Sequence, residues 1–226
     1  MIQLNELLLA LLLVSCLMLA VSSRLLHCIR LAAFQGVVLG ILPVTLAASM
    51  ASVNWFMAGI NLVLKGIILP LLLCRAMKKA EVKRELEPIV GYSFSAGAVL
   101  LITLFCFFIT RQLPAPTGAA ATAPVAVPTA FTLALTGLFV VMARKKALTQ
   151  VIGFLVFENG ITLFGAAVMR EHPVIVELGI LLDVLALVFI MGIAVHQISR
   201  EFSHIDADRL NMLDDLPEEK EGAEKC

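Results

Sequence analysis

The chain has 226 residues, of which 60% are hydrophobic and only 15% charged, and its formal net charge at neutral pH is zero. With a mean hydropathy of +0.98, this excludes an ordinary soluble domain, which runs to about 45–50% apolar residues with roughly a quarter charged, and it predicts an all-α integral membrane protein. Charge neutrality says nothing about partners here, because the charges are sorted by side of a bilayer; lipid is the expected surroundings and no nucleic-acid partner is expected.

A helix needs ~20 apolar residues to cross the hydrocarbon core, and seven stretches qualify: Leu4–Ser22, Leu31–Met50, Val53–Leu73, Val90–Ile109, Val125–Met142, Leu148–Val168 and Val174–Ile198. The first looks like a secretory signal, but no Lys or Arg precedes Arg24, so the basic leading region is missing and a retained helix is expected. The second and third are separated near Ala51-Ser52 by a tight uncharged turn. Gly36 and Gly40 form a small-xxx-small pair, which predicts close packing of the second span on a neighbour. Pro43 and Pro70 are candidate kinks. The Ala/Pro/Thr-rich stretch from Gln112 to Pro128 reads as a flexible outer loop. A break at Arg170-Glu171-His172-Pro173 divides the sixth span from the seventh. From Glu201 the chain turns polar and then acidic, and its end reads as a disordered tail. The expected organisation is a four-helix region over 1–110, an outer loop over 111–128, a three-helix region over 129–200 and a cytoplasmic tail over 201–226.

Basic residues fix the expected orientation. Arg24 and Arg30, then Arg75, Lys78, Lys79, Lys83 and Arg84, then Arg144, Lys145 and Lys146, and finally the tail residues Arg200, Arg209, Lys220 and Lys225 all fall on one side. Arg111 and Arg170 fall on the other. The N-terminus is therefore expected outside and the C-terminus in the cytoplasm, in a multi-pass protein of a prokaryotic inner membrane. The cysteines Cys16, Cys28, Cys74, Cys106 and Cys226 have no C-x-x-C spacing and read as small membrane hydrophobes.

Three ionisable residues lie well inside predicted spans: Lys65, Glu158 and Asp183. At ~1.5 Å per helical residue they lie very roughly 15 to 25 Å from the basic side, in the central part of the bilayer. An acid at that depth costs about 2.5–3.5 kcal/mol on insertion scales, which makes it a candidate functional group. The functional reading is a lateral relay of protonatable groups: Glu158, Asp183 and Lys65, with Glu177 nearer the outer face and His196 as a possible point of proton uptake on the cytoplasmic side. The structural alternative is that Lys65 forms a buried ion pair with one carboxylate and holds helices together; Glu177 and His196 could equally be interfacial. Asn159-Gly160 beside Glu158 either loosens that helix or packs it. No phosphate loop, zinc-type cluster, nucleophile elbow or haem-holding histidine pair is present, so no catalytic, cofactor or metal site is expected in this chain.

Arg144-Lys145 followed by Ile152-Gly153-Phe154-Leu155-Val156-Phe157-Glu158-Asn159 resembles the second helix of the K-type subunit of respiratory complex I, and of the C-type subunit of multisubunit cation/proton antiporters. Asp183 and the helix to His196 resemble that family's third helix. A longer resemblance, over NLVLKGIILPLLL, FLVFENGITLFG, VELGILLDVLALVFIMGI and SHIDADRL, is to the family of hydrogenase-4 E components, part of the membrane arm of formate hydrogenlyase-type and other group 4 [NiFe] hydrogenases. That resemblance implies a non-catalytic subunit between a hydrogenase-anchoring membrane subunit and antiporter-like subunits. The nickel–iron centre and iron–sulfur clusters would then lie in soluble partner subunits, and the buried acids would belong to a proton (or sodium) path. In the resemblance to the K-type subunits, that family's mid-helix glutamate falls on Leu155, with Glu158 one turn later, and its third-helix glutamate appears here as the shorter Asp183. The rival reading is a stand-alone cation/proton secondary transporter, although no internal repeat relates two halves of the chain.

Overall fold

The computed structural model describes residues 2–46, 62–79, 91–112, 124–144 and 147–168, with the single residues 59 and 192. Every regular element among them is helical: α1 (Ile2–Val21), α2 (Leu25–Leu46), a π-helical turn (Leu64–Ile68) running directly into α3 (Leu69–Lys79), α4 (Tyr92–Gln112), α5 (Ala126–Ala143) and α6 (Ala147–Val168). Five are long and apolar enough to cross a membrane: Leu4–Val21, Leu25–Leu42, Tyr92–Gln112, Ala126–Ala143 and Leu148–Val168. The predicted seventh span, most of the outer loop, the acidic tail and the Ala51-Ser52 turn lie outside the described residues.

Two predicted boundaries move. The second helix begins at Leu25 rather than Leu31, directly after a short turn at Ser22–Arg24, where His27 N–H and Cys28 N–H both bond to the Arg24 carbonyl. Hydropathy misses this opening because His27 and Arg30 interrupt the apolar run. Both are exposed, while Leu25, Cys28, Ile29 and Ala32 form a buried stripe at helical spacing, so the segment is amphipathic and still helical. Likewise α5 starts at Ala126, beside the Val125 start expected for the fifth span, so it is the end of the loop, expected at Pro128, that moves back. A proline in a first helical turn withholds an N–H that has no partner there in any case.

In α1, Leu9, Leu12, Cys16 and Leu19 face inward, while Leu4, Leu7, Leu11, Val14, Met18 and Val21 face outward. A helix apolar on both sides has no face for water, as expected of a span. The tightest pair is α5 on α6. Gly137, Gly153 and Gly160 let the two backbones touch, and a Cβ on Gly160 would sit 2.5 Å from the Ala134 amide nitrogen. Gly160 is thus a packing residue in a continuous α-helix and does not loosen it. The ring of Phe131 meets that of Phe164 at 5.4 Å, adding to the same interface. α2 packs on α1, on α6 and on the segment 62–79, whereas α4 packs chiefly on α1 and α5 among the described residues and has few buried positions. The buried apolar cluster is shared chiefly by α1, α2, α3, α5 and α6, and α2 meets α6 and the π turn within it.

Candidate functional site

The π turn places Lys65. Pro70 has no N–H for the carbonyl of Gly66, and its ring crowds that carbonyl in a regular α-helix. Widening the preceding turn relieves the conflict, and the Leu69 N–H bonds to the Leu64 carbonyl, five residues back. Gly36 of α2 lies against this turn. A Cβ there would meet Lys65 Cβ at 2.8 Å and the Lys65 carbonyl at 2.9 Å, and Gly40 meets Leu62 in the same way. The Gly36/Gly40 pair therefore packs as the sequence suggests, Gly36 on the backbone that carries the buried lysine and Gly40 on the Leu62 side chain.

From that seat Lys65 reaches α6. Its Nζ lies 2.7 Å from Glu158 Oε1, with side-chain exposures of only 5% and 1%, and it donates to Thr162 Oγ1 at 2.9 Å. The Thr162 hydroxyl gives its own proton to the Glu158 carbonyl at 3.0 Å, which leaves its lone pairs free for the ammonium. Each charge is the other's counter-charge, without which either would be stranded in an apolar interior. Oε1 of Glu158 is thus held by the ammonium, while Oε2 has no hydrogen-bond partner among the described residues.

Next to Glu158, Asn159 begins a buried polar chain across three helices. Asn159 Nδ2 donates to Gln35 Oε1 at 3.4 Å, Gln35 Nε2 donates to Ser15 Oγ at 2.9 Å, and the Ser15 hydroxyl donates to the Leu12 carbonyl at 2.6 Å. A narrow crevice, with about 10 Å³ accessible to water, lies beside the ion pair and is lined by Ala32, Ala33, Leu69, Leu73, Leu155 and Glu158. Leu155 and Glu158 thus face one space, so an acid at either position would reach it.

Of the sequence-predicted site residues, Lys65 and Glu158 come together, 93 positions apart in the chain, while Asp183, Glu177 and His196 lie outside the described residues. Gln35, Ser15 and Thr162 were not singled out by sequence. The signals that could have found them are a lone glutamine inside a span and a threonine one helical turn after a buried acid.

Arg144, expected in a basic loop, is instead 3% exposed. Its Nη2 donates to the Ala20 carbonyl at 2.9 Å, and its guanidinium lies 5.5 Å from the centre of the Tyr92 ring. The short α5–α6 turn brings it beside the carbonyl end of α1, where a cation is favoured. Cys16, Cys28, Cys74 and Cys106 are free thiols. Among the described residues no group of three or more His, Cys, Asp or Glu comes together in a way that could hold a metal ion.

No protein-family profile matches the chain, and no solved structure matches it. Hydrogenase-4 component E of Escherichia coli is 26% identical over 149 residues, covering 66% of this chain and 68% of that protein, and the Shigella flexneri protein of the same name matches equally. The uncharacterized protein Rv0085 of Mycobacterium tuberculosis is 35% identical over 189 residues, covering 83% of this chain and 85% of its own length. Identity at that level over most of both chains means that this protein belongs to the family of Rv0085, and hydrogenase-4 component E is similar to this chain at a greater distance.

Proposed function

We propose that the chain is a non-catalytic membrane-arm subunit of an energy-converting, group 4 [NiFe] hydrogenase-type complex, and that its buried acids belong to a proton (or sodium) path driven by redox chemistry in other subunits. The observation that carries this reading is the Lys65–Glu158 pair, held in the bundle by a π turn and continued sideways by Asn159, Gln35 and Ser15. A bundle that needed only cohesion would be served as well by apolar side chains, which often replace a buried ion pair at no loss of stability. The similarity to hydrogenase-4 component E supports the setting. In this reading Asp183, Glu177 and His196 extend the path through a seventh helix, the N-terminus lies outside and the C-terminus in the cytoplasm. The helices over 129–200 then play the part of the K-type subunit of complex I. The partners are a hydrogenase-anchoring membrane subunit, antiporter-like subunits and soluble subunits carrying the nickel–iron and iron–sulfur centres.

The test is donor-driven hydrogen turnover in membranes carrying Glu158→Gln, Asp183→Asn or Lys65→Met, with the ion gradient intact and then collapsed, alongside a check of complex assembly. An assembled variant that loses gradient-linked turnover places its residue on the path. Wild-type turnover and coupling in all three would make the charges structural. Purification as a homo-oligomer with antiport activity of its own would instead support a stand-alone transporter.

A further inference from the structure

The surroundings of the ion pair are not alike on its two sides. Toward the end of α2 that carries Gly40, the pair is closed by close packing: Gly36 lies on the Lys65 backbone with no room for a methyl group, and Gly40 lies against the Leu62 side chain. Toward the other end, the crevice runs past Ala32 and Ala33 on α2, Leu69 and Leu73 on α3 and Leu155 on α6. On α2 and α3 the lining residues lie between the pair and a basic residue, Arg30 and Arg75, and on α6 Leu155 lies between Glu158 and the helix start at Ala147, which Arg144 precedes in the chain. All three helices thus give the crevice the same direction.

Its size and its lining both point to water. About 10 Å³ of accessible space holds roughly one water molecule, provided that polar partners line it. Glu158, Lys65 and Asn159 all do. Glu158 Oε1 lies against the Lys65 ammonium, but Oε2 has no hydrogen-bond partner among the described residues, and a buried acceptor left in that state costs about 1–3 kcal/mol.

We propose that this crevice is a water site that connects Glu158 to the face of the membrane carrying Arg30, Arg75 and Arg144, and that Glu158 exchanges protons with that face alone. The exchange is simple: hydronium gives its proton to a Glu158 carboxylate oxygen and departs as water, and the reverse step returns it. The side chains of Leu69, Leu73 and Leu155 make the narrow passage. This rests on the reading of Glu158 as a path residue, but the access it describes can be measured without turnover.

The experiment uses the assembled complex in sealed vesicles of both orientations, with Ala33→Cys or Leu73→Cys introduced after the native cysteines of this chain are replaced by alanine or serine. The probe is the silver ion, which is close to water in size. Its reaction is read as loss of later maleimide labelling by mass spectrometry. Both cysteines are expected to be blocked when silver is applied to the basic-loop face and to stay reactive when it is applied to the other. Blocking from the opposite face, or from neither, overturns the proposal. If the crevice takes silver as expected while Glu158→Gln leaves gradient-linked turnover unchanged, the water site stands and the path reading fails.

Discussion

Lys65 and Glu158 neutralise each other inside the bundle, so neither can be removed without stranding its partner. Glu158→Gln and Lys65→Met are each expected to cost about 3–5 kcal/mol of stability, and the double variant to regain most of that, because it leaves no unpaired buried charge. Thermal inactivation of the four forms checks this, and additive losses would mean that each charge is held chiefly by something else. Both residues are legible in the sequence, since a lone charge in an apolar run is costly and conspicuous. The polar groups around them are not. Gln35, Ser15 and Thr162 are uncharged and inconspicuous, and they meet across 20 and 97 positions of chain, separations that no local pattern reports.

At the scale of elements, the position of Lys65 depends on Pro70, which widens the preceding turn, and on Gly36, which lets α2 touch it. Gly36→Ala would drive a methyl group into the backbone of Lys65, an overpacking expected to cost about 1–3 kcal/mol and to move the lysine away from Glu158. Carbodiimide coupling of the two side chains into an amide reports the contact directly. Gly36→Ala should abolish it, whereas Gly97→Ala, with nothing within 4 Å of the added Cβ, should leave coupling and stability as they are. The small-residue motif is readable from sequence because Gly36 and Gly40 are one turn apart, but the identity of the packed neighbour comes only from the fold. Helix ends are the least legible feature. Polar residues on an exposed face, such as His27 and Arg30, interrupt hydropathy without interrupting the helix.

Across the whole molecule, the apolar surface is unevenly covered. The inward residues of α4 are Ser95, Val99 and Cys106, while Leu101 and Leu104 are each 68% exposed. Leu104→Arg puts a charge at the centre of this span, where it costs about 2.5–3.5 kcal/mol against hydrocarbon. Less protein should then survive alkaline washing of membranes; unchanged recovery would mean that this face meets water or a polar partner surface. The membrane character follows from composition alone, and five of the seven predicted spans correspond to helices of sufficient length among the described residues. Orientation is legible only as a bias of basic residues.

The burial of Arg144 also bears on the order in which the protein is built. Its hydrogen bond to Ala20 joins residues 124 positions apart, whereas the α5–α6 hairpin closes through a turn of only a few residues and forms locally. A guanidinium without partners is costly in hydrocarbon, so the α5–α6 hairpin is expected to settle against α1 only once the Ala20 carbonyl can receive Arg144. The same side chain is then the latch that joins the last described helices to the first.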